Sequence, residues 1–275
     1  MPEGDTLRRA AARLQPLVGR VVVARADHPR ARVLGIAEAI DGRRLERVEA
    51  VGKNLLLAFE GGLLLRSHLG MRGRWYVGSA DEPLVGKPWL VLRAGGHRAV
   101  LRGGATLELA GIRTSERPVR SRMARLGPDV MDDPPDLDGM VARLRSTEPA
   151  REIGEALLDQ RLVAGIGNIW RAEGLFLAGV SPWAALAELP DDALRRVLAE
   201  TSGAMRAGRP RRLVYRKARR PCPRCGTPIA ARRQGEAART AYWCPACQPS
   251  PRELARRGAA SAVAGAPATT SGSRR

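Results

Sequence analysis

Two cysteine pairs, Cys222-Pro223-Arg224-Cys225 and Cys244-Pro245-Ala246-Cys247, contain all the cysteines of the 275-residue chain, and eighteen residues separate them. Each C-x2-C pair forms a tight knuckle, so the two pairs can direct four thiolates tetrahedrally at one zinc ion. A redox motif would need a βαβ unit nearby, and two disulfides would need an oxidising compartment. We therefore predict one zinc ion held by Cys222, Cys225, Cys244 and Cys247. It would be structural, because four protein ligands leave no open coordination position.

The sequence around these pairs is strongly basic. From Arg206 to Arg239 there are twelve Lys or Arg residues and one Glu, and the whole chain has a formal net charge of +19. This surplus favours a nucleic acid partner, and the alternatives are an anionic membrane surface or a solvated face. No apolar run approaches the roughly 18 residues of a membrane span, and the N-terminus lacks an apolar signal segment. We expect a monomeric cytoplasmic protein with no membrane contact, associated with the nucleoid when bound to DNA.

Helical patterns precede the cysteines. Periodic apolar residues after a proline-containing linker predict helices over 151–159, 169–178 and 191–206. At the junction of the first two, Gly165 and Gly167 allow another backbone to come close, and Asn168 is a suitable N-cap. Free amides at a helix N-terminus bind phosphate, although a G-x-G sequence also occurs at plain helix corners. The stretch between the cysteine pairs, with Arg232, Arg233 and Arg239, is predicted to form a basic two-stranded hairpin. Because the junction is expected to lie beside this hairpin, we interpret it as a phosphate-binding site.

The N-terminal half of the chain is predicted to form strands over residues 17–110. Its segments are separated by the pairs Gly61-Gly62, Gly95-Gly96 and Gly103-Gly104, which are typical of hairpin turns. The predicted strands are Val21–Val23, Asn54–Glu60, Leu63–Ser67, Trp89–Leu92, His97–Arg102 and Ala105–Leu109. Successive hairpins indicate an antiparallel meander, closed as a sandwich or a barrel.

The chain begins with Met1-Pro2-Glu3-Gly4, and a helix follows that Asp5 or Thr6 can cap. Removal of Met1 would leave a secondary amine at Pro2, and the positive end of the helix disfavours the protonated form of this amine. A neutral amine attacks aldehyde-like carbons, and the neighbouring Glu3 carboxyl can transfer protons. By itself this N-terminus only suggests such chemistry.

Further motifs occur in a fixed order along the chain. They are Met1–Gly4, Val51–Leu55 with Lys53, Ser67–Met71, the run Leu157–Asn168, and the two cysteine pairs. Together they resemble the formamidopyrimidine-DNA glycosylase / endonuclease VIII family of repair enzymes, over residues 2–248. The resemblance implies an α+β multidomain fold with an N-terminal β-sandwich and N-terminal helix, a helix-two-turn-helix domain and a C-terminal zinc finger.

The resemblance also implies domain boundaries. We expect a catalytic β-sandwich domain over 1–120, a linker over 121–130, the helix-two-turn-helix domain over 131–210 and the zinc finger over 211–248. Damaged DNA would lie in the cleft between the domains. The basic tail over 249–275 is rich in Ala, Gly, Ser and Arg without periodicity, so we expect it to be disordered.

Three residues match the family's catalytic positions. The resemblance implies that Pro2 attacks C1′ of the damaged nucleoside, after the nucleotide has been flipped out of the duplex. The resulting iminium would act as an electron sink for successive β- and δ-elimination. Glu3 resembles the proton donor to the opening sugar, and Lys53 matches a lysine that contacts phosphate near the lesion.

Four residues match DNA-binding positions of the family. Asn168 and Arg239 correspond to its phosphate-binding pair. His68 and Met71 lie in the segment that contacts DNA and fills the void left by the flipped base, with Leu69 as a second candidate for that void. His68 is equally compatible with a structural hydrogen-bonding role.

Two departures from the family's pattern bear on the base that is excised. The oxidised-purine branch has an Arg-Arg-Phe-Gly-like stretch, whereas residues 109–116 here contain no Phe. Only sixteen residues separate Met205 from Cys222, which leaves little room for the loop that caps 8-oxoguanine in that branch. Both departures resemble the endonuclease VIII branch of the family, which prefers oxidised pyrimidines, so we favour that branch and those substrates. Oxidised purines are the alternative, because the segment 68–71 is closer to the purine branch.

Two other classes of function fit parts of the sequence. A non-catalytic zinc-ribbon DNA-binding protein explains the charge and the cysteines, but not the co-occurrence of Pro2, Glu3 and Lys53, one of three lysines in the chain. A metal-dependent nuclease needs clustered carboxylates or histidines, which the sequence does not show. We therefore favour a bifunctional DNA glycosylase and abasic-site lyase of base excision repair.

Overall fold

The computed structural model describes residues 2–103, 106–111, 117–208 and 212–250. The helices are α1 (Gly4–Leu14), α2 (Pro29–Arg32), α3 (Ile36–Ile40), α4 (Arg117–Ala124), α5 (Leu137–Arg145), α6 (Ile153–Ala156), α7 (Asn168–Ala178) and α8 (Asp191–Arg206). The strands are β1 (Val23–Arg25), β2 (Leu45–Val51), β3 (Asn54–Phe59), β4 (Leu63–His68), β5 (Arg74–Ser79), β6 (Leu90–Ala94), β7 (His97–Arg102), β8 (Thr106–Ala110), β9 (Ala230–Gln234) and β10 (Arg239–Trp243). Most of the segment expected to be disordered, 251–275, lies outside the described residues.

The first eight strands form two antiparallel sheets, in the orders β2-β3-β4-β8 and β1-β6-β7-β5. Side chains of both sheets, among them Leu57 and Leu101, share one buried core, which confirms the predicted sandwich. Gly61-Gly62 and Gly95-Gly96 join the expected hairpins, β3–β4 and β6–β7. The simple meander is wrong after β7, because β8 crosses to the other sheet and pairs with β4. The crossing lets Leu107 enter the shared core.

One strand begins two residues later than the sequence predicted, and two further strands were not predicted. The strand expected at Val21–Val23 begins instead at Val23, as β1. Val21 lies outside it and makes only an isolated bridge with Arg44. The missed strands, β2 and β5, are edge strands. Exposed Glu46 and Arg47 interrupt the apolar pattern of β2, and β5 offers only a short pattern behind the exposed Arg74. An edge strand can carry charge at these positions because one of its sides faces no neighbouring strand.

Helix α1 covers the sandwich core with a buried stripe of Leu7, Ala10 and Leu14. The expected caps are wrong, because the helix begins at Gly4 with Glu3 in the N-cap position and no side chain caps it. The Asp5 carboxylate instead accepts from the Arg9 guanidinium at 2.6 Å. The Glu3 side chain is directed to another helix.

Helices α5 to α8 enclose a second buried core. Helix α8 spans the predicted residues, and its expected apolar face, including Leu194 and Leu198, is buried. The helix expected over 151–159 is wrong beyond α6, because the Asp159 carboxylate accepts the N–H of Arg161 at 3.0 Å and turns the chain. Helix α5 was missed because Pro134 and Pro135 directly before it were interpreted as part of a linker.

Strands β9 and β10 form the basic two-stranded hairpin that was expected between the cysteine pairs. A third core joins Ala172 and Phe176 of α7 to Val214, Ile229 and the buried Cys222. We call the β9–β10 hairpin with the two cysteine pairs the hairpin unit, and helices α5 to α8 the helical unit. Since α7 also supplies Trp170 to the second core, this helix fixes the hairpin unit against the helical unit. Among the described residues, no helix has the length and apolar character needed to cross a membrane.

Candidate active site at the domain junction

The N-terminus of the chain docks on the N-terminus of α7. The Glu3 carboxylate accepts three backbone N–H groups at the start of that helix, from Gly167 at 3.0 Å, Ile169 at 2.8 Å and Trp170 at 3.1 Å. The Gly4 N–H donates to the Gly165 carbonyl at 3.0 Å. A carboxylate at this position satisfies amides that have no partner within their own helix. Residues 2–5 are thereby attached to the helical unit as well as to the sandwich.

This arrangement corrects two expectations about the glycine-rich junction. The N-cap position belongs to Gly167, and Asn168 is the first helical residue. The amides expected to bind phosphate already bind the Glu3 carboxylate. A Cβ atom on Gly167 would lie 2.3 Å from Cδ of Glu3, so only glycine leaves room for this carboxylate.

Glu3 is 1% exposed. Burial raises the pKa of Glu3, while the Ile169 N–H and the positive charge of Lys53 act in the opposite direction. A raised pKa means that the carboxyl holds a proton at higher pH than an exposed glutamate does. Glu3 can therefore serve as a proton donor next to Pro2.

Lys53 lies in the turn between β2 and β3, where Gly52 has a φ of 56°. The Gly52 N–H donates to Oδ2 of Asp129 at 2.7 Å, so a carboxylate from the linker holds this turn. Burial lowers the pKa of Lys53 to about 8, Glu3 opposes the shift and the charge of Arg239 adds to it. The pKa of Lys53 therefore responds to the charges of both Glu3 and Arg239.

Asn168 and Arg239 lie where α7 meets the hairpin. Asn168 Nδ2 donates to the carbonyl of Thr240 at 3.1 Å, and Arg239 is the preceding residue of β10. The buried Oδ1 of Asn168 has no hydrogen-bond partner among the described residues. Asn168 therefore lies beside the part of the β10 backbone that carries Arg239.

The segment with His68 and Met71 separates into two environments. His68 Nδ1 accepts the Gly70 N–H at 3.2 Å, and burial lowers the pKa of His68, so its ring is neutral and bonded within its own turn. Leu69 is 2% exposed and belongs to the sandwich core, whereas Met71 is 65% exposed. Of the two residues considered for the void of a flipped base, Leu69 is enclosed in the core and Met71 has an exposed side chain.

Pro2 and Met71 line the same open cleft, which has a volume of about 570 Å³. Other residues of its wall are Arg9, Arg13, Tyr76 and Trp170. The cleft lies between the sandwich and α7 and combines positive charge with exposed apolar and aromatic surface. Such a combination suits a nucleotide, whose phosphate is anionic and whose base can stack.

The four cysteine sulfur atoms converge in the hairpin unit, all within 4.8 Å of one another. Cys225 Sγ lies 3.5 Å from that of Cys244 and 3.4 Å from that of Cys247, and Cys222 Sγ lies 3.9 Å from Cys247 Sγ. Four sulfurs placed tetrahedrally about 2.3 Å from a zinc ion would be about 3.8 Å apart. The donor set and its spacing therefore fit a metal ion.

Two family models match the chain. The formamidopyrimidine-DNA glycosylase N-terminal domain matches residues 1–115, and the formamidopyrimidine-DNA glycosylase H2TH domain matches residues 126–209.

The chain belongs to the formamidopyrimidine-DNA glycosylase family.

Curated relatives within this family carry two kinds of name. The chain is 37% identical to the probable endonuclease 8 2 of Streptomyces coelicolor, covering 94% of this chain and 98% of that protein. It is 35% identical to endonuclease 8 2 of Mycobacterium tuberculosis, covering 90% and 100%. It is 34% identical to the formamidopyrimidine-DNA glycosylase of Thermus thermophilus, covering 90% and 97%.

The fold agrees with solved structures of the family. The Lactococcus lactis formamidopyrimidine-DNA glycosylase in complex with DNA containing an abasic site gives a TM-score of 0.75 at 22% identity. The match covers 90% of this chain and 99% of that one. The three-part architecture expected from the sequence is therefore the fold of the formamidopyrimidine-DNA glycosylase family.

Three polar residues of this family member were missed by sequence reasoning, although each holds a part of the site in place. Asp129 binds the turn of Lys53. The buried Glu173 accepts the backbone N–H groups of residues 213–215 at 2.7–3.1 Å, and the buried Arg171 binds the hairpin. The sequence did contain a signal for Glu173 and Arg171, because charged residues are rare on a helix as apolar as α7.

Proposed function

We propose that this DNA glycosylase and abasic-site lyase works through the N-terminal amine of Pro2 once Met1 has been removed. The observation that carries the proposal is the junction itself. Glu3 is buried against α7, the pKa of Lys53 responds to the charges of Glu3 and Arg239, and Pro2 opens into a cleft wide enough for a nucleotide. The proposal assigns the nucleophile to Pro2, the proton donor to Glu3 and the phosphate-binding charges to Lys53 and Arg239.

In the proposed reaction, the Pro2 nitrogen attacks C1′ of the damaged nucleotide, the bond from C1′ to the base breaks, and the leaving base takes up the proton lost by the Pro2 nitrogen. Glu3 gives a proton to the sugar ring oxygen, so the ring opens and an iminium forms between Pro2 and C1′. The iminium accepts the electron pair released when a proton leaves C2′, and the bond from C3′ to its phosphate breaks. A second elimination breaks the bond from C5′ to its phosphate, and water then releases Pro2.

DNA would be held by cations around this centre. We assign phosphate contacts to Lys53, Asn168 and Arg239, since Lys53 and Arg239 supply charge and Asn168 binds the backbone of Thr240, the residue after Arg239. Met71 would enter the gap left by the flipped base, since its side chain is exposed at the rim of the cleft. His68 would act by fixing the turn that leads to Met71, because its ring accepts the Gly70 N–H.

The metal of the hairpin unit is proposed to be one zinc ion with a structural role. Cys222, Cys225, Cys244 and Cys247 would supply all four ligands, and the ion would contribute folding energy to the unit that carries Arg239. The reaction steps assigned above use the N-terminal amine of Pro2, the Glu3 carboxyl and water.

We propose oxidised pyrimidines as the preferred bases. The support is the short connection between α8 and Cys222, together with relatives named endonuclease 8 at 37% and 35% identity. A competition assay with one 5-hydroxyuracil duplex and one 8-oxoguanine duplex tests the preference. Faster excision of 5-hydroxyuracil is expected, and faster excision of 8-oxoguanine would assign the chain to the purine specificity.

Strand cleavage at a single abasic site tests the proposed function. Without added magnesium, the protein should produce fragments with a phosphate at both ends of the gap, the products of successive β- and δ-elimination. Pro2→Gly keeps an N-terminal amine but should cleave much more slowly. Unchanged cleavage by Pro2→Gly would contradict the role of Pro2, and cleavage that depends on magnesium would indicate a nuclease.

A further inference from the structure

Arg171 is a buried charge in the helix that joins the two DNA-binding units. It is 1% exposed, and within the described parts of the chain no carboxylate lies at ion-pair distance from it. Burial lowers the pKa of Arg171 to about 10. Because an unpaired buried cation is costly, its contacts should be informative about why it is there.

The guanidinium of Arg171 binds both strands of the hairpin. Nη1 donates to Oε1 of Gln234 at 3.1 Å, and Nη2 donates to the carbonyl of Thr240 at 2.8 Å and to that of Arg239 at 3.5 Å. Gln234 and Arg239 are directly opposite each other in the β9–β10 register, at the turn end of the hairpin. One planar group therefore fixes the backbone position from which the Arg239 side chain leaves.

The same contact connects Arg239 to Asn168. The Thr240 carbonyl accepts from both Asn168 Nδ2 and Arg171 Nη2, so the two residues proposed to bind phosphate share one hydrogen-bonding node. A lysine at this position could donate hydrogen bonds from only one nitrogen atom. The arginine guanidinium donates from two nitrogen atoms and so binds both strands at once. The geometry thus gives Arg171 a function beyond filling the core.

We infer that Arg171 is a positioning residue that sets Arg239 and Asn168 at the spacing required for a DNA phosphate. The inference rests on the proposed function, because it assumes that Arg239 contacts DNA. It predicts that loss of Arg171 weakens DNA binding only through Arg239 and Asn168, and leaves the rest of the DNA interface unchanged.

Arg224 provides a matched control. Its guanidinium also joins the hairpin unit to α7, donating to the carbonyls of Phe176 at 2.8 Å and Leu177 at 3.1 Å and lying 4.3 Å from the Phe176 ring centroid. It anchors the opposite end of the unit and makes no contact with the Gln234–Arg239 pair. A variant at Arg224 therefore tests what a loosened anchor does without the proposed positioning.

The experiment measures the affinity for a duplex with a tetrahydrofuran abasic analogue over a series of salt concentrations. Arg239→Ala should lower the slope of log K against log salt by about one, the loss of one phosphate contact. Arg171→Met should give the same reduction, and the double variant should bind within about twofold of Arg239→Ala. Arg224→Met should keep the wild-type slope. Bound zinc and circular dichroism are recorded for every variant.

The outcomes separate the inference from the function on which it rests. An unchanged slope for Arg239→Ala would refute the proposed phosphate contact itself. A normal effect of Arg239→Ala with an unchanged slope for Arg171→Met, or with additive losses in the double variant, would overturn the positioning role. If Arg171→Met does not fold, Arg171→Lys replaces it and should show a partial reduction of slope that also disappears in the Arg239→Ala background.

Discussion

Glu3 combines two properties at the residue scale, a structural contact and a perturbed pKa. Its carboxylate binds the amides of α7, and burial raises its pKa. The motif Pro2-Glu3 and Lys53, one of only three lysines, could be selected from the sequence because their chemistry is unusual at those places. The partner of Glu3 could not, since Gly167 is 164 positions away and its amide carries no side-chain signal.

Glu3→Gln separates proton donation from the chemistry of the amine. We expect base excision to fall by about two orders of magnitude or more, since a positioned acid contributes that much. Cleavage of a preformed abasic site should fall less, because its sugar already opens without the enzyme. Single-turnover rates on the two substrates give the comparison, and equal losses would contradict the assigned role.

Lys53 should make DNA binding depend on pH. Its pKa is lowered to about 8, so the charge is present below that pH and is lost as the pH rises through it. Wild-type affinity for an abasic-analogue duplex should therefore decrease from about pH 7 to about pH 9, by up to about tenfold at the upper end. Lys53→Arg stays charged throughout and should remove the decrease. Fluorescence anisotropy at constant ionic strength measures both, and a parallel decrease in Lys53→Arg would assign the titration to another group.

At the scale of elements, regular patterns could be predicted and docked ends could not. The full length of α8 and the β9–β10 hairpin followed from periodicity and from the cysteine spacing. The edge strand β2 carries charges that hide its period, β5 is short, and the start of α7 is bound by Glu3 from the start of the sandwich helix α1. Capping across domains leaves no trace in the local sequence.

Gly167→Ala tests this docked helix end. The alanine fits the backbone φ of −118°, but its Cβ would lie 2.4 Å from Oε1 of Glu3 and must displace the carboxylate. We expect a loss of about 1–3 kcal/mol in the free energy of unfolding, together with a large loss of base excision. Gly203→Ala on α8 is the control, because its Cβ would meet no atom within 4 Å. Denaturant unfolding and excision rates decide, and a Gly167→Ala protein as stable and active as the control would contradict the account.

At the scale of the whole molecule, the site exists only where three units meet. The sandwich carries Lys53 and Met71, the helical unit carries Asn168, and the hairpin unit carries Arg239. The sequence motifs indicated which residues belong together, whereas their relative placement depends on contacts such as Gly52 to Asp129. The exact domain boundaries stay a prediction.

Removal of the metal should disconnect the hairpin unit from this site. Cys244→Ser should lose bound zinc and unfold the unit, because a structural zinc ion contributes its binding energy to folding. Affinity should fall for damaged and undamaged duplexes alike, since the lost contact is to phosphate. Metal analysis and anisotropy measure the two effects. Chelation of wild-type protein followed by zinc addition is the control, and full binding without zinc would contradict the structural role.

The central claim, that Pro2 is the nucleophile, is tested most directly by borohydride trapping on an oligonucleotide with one abasic site. Reduction converts an iminium into a stable covalent bond, and mass spectrometry of the digested adduct identifies the attached residue. The account predicts an adduct on the nitrogen of Pro2, which also requires that Met1 has been removed. An adduct on Lys53, or no adduct while tight DNA binding is retained, would contradict it.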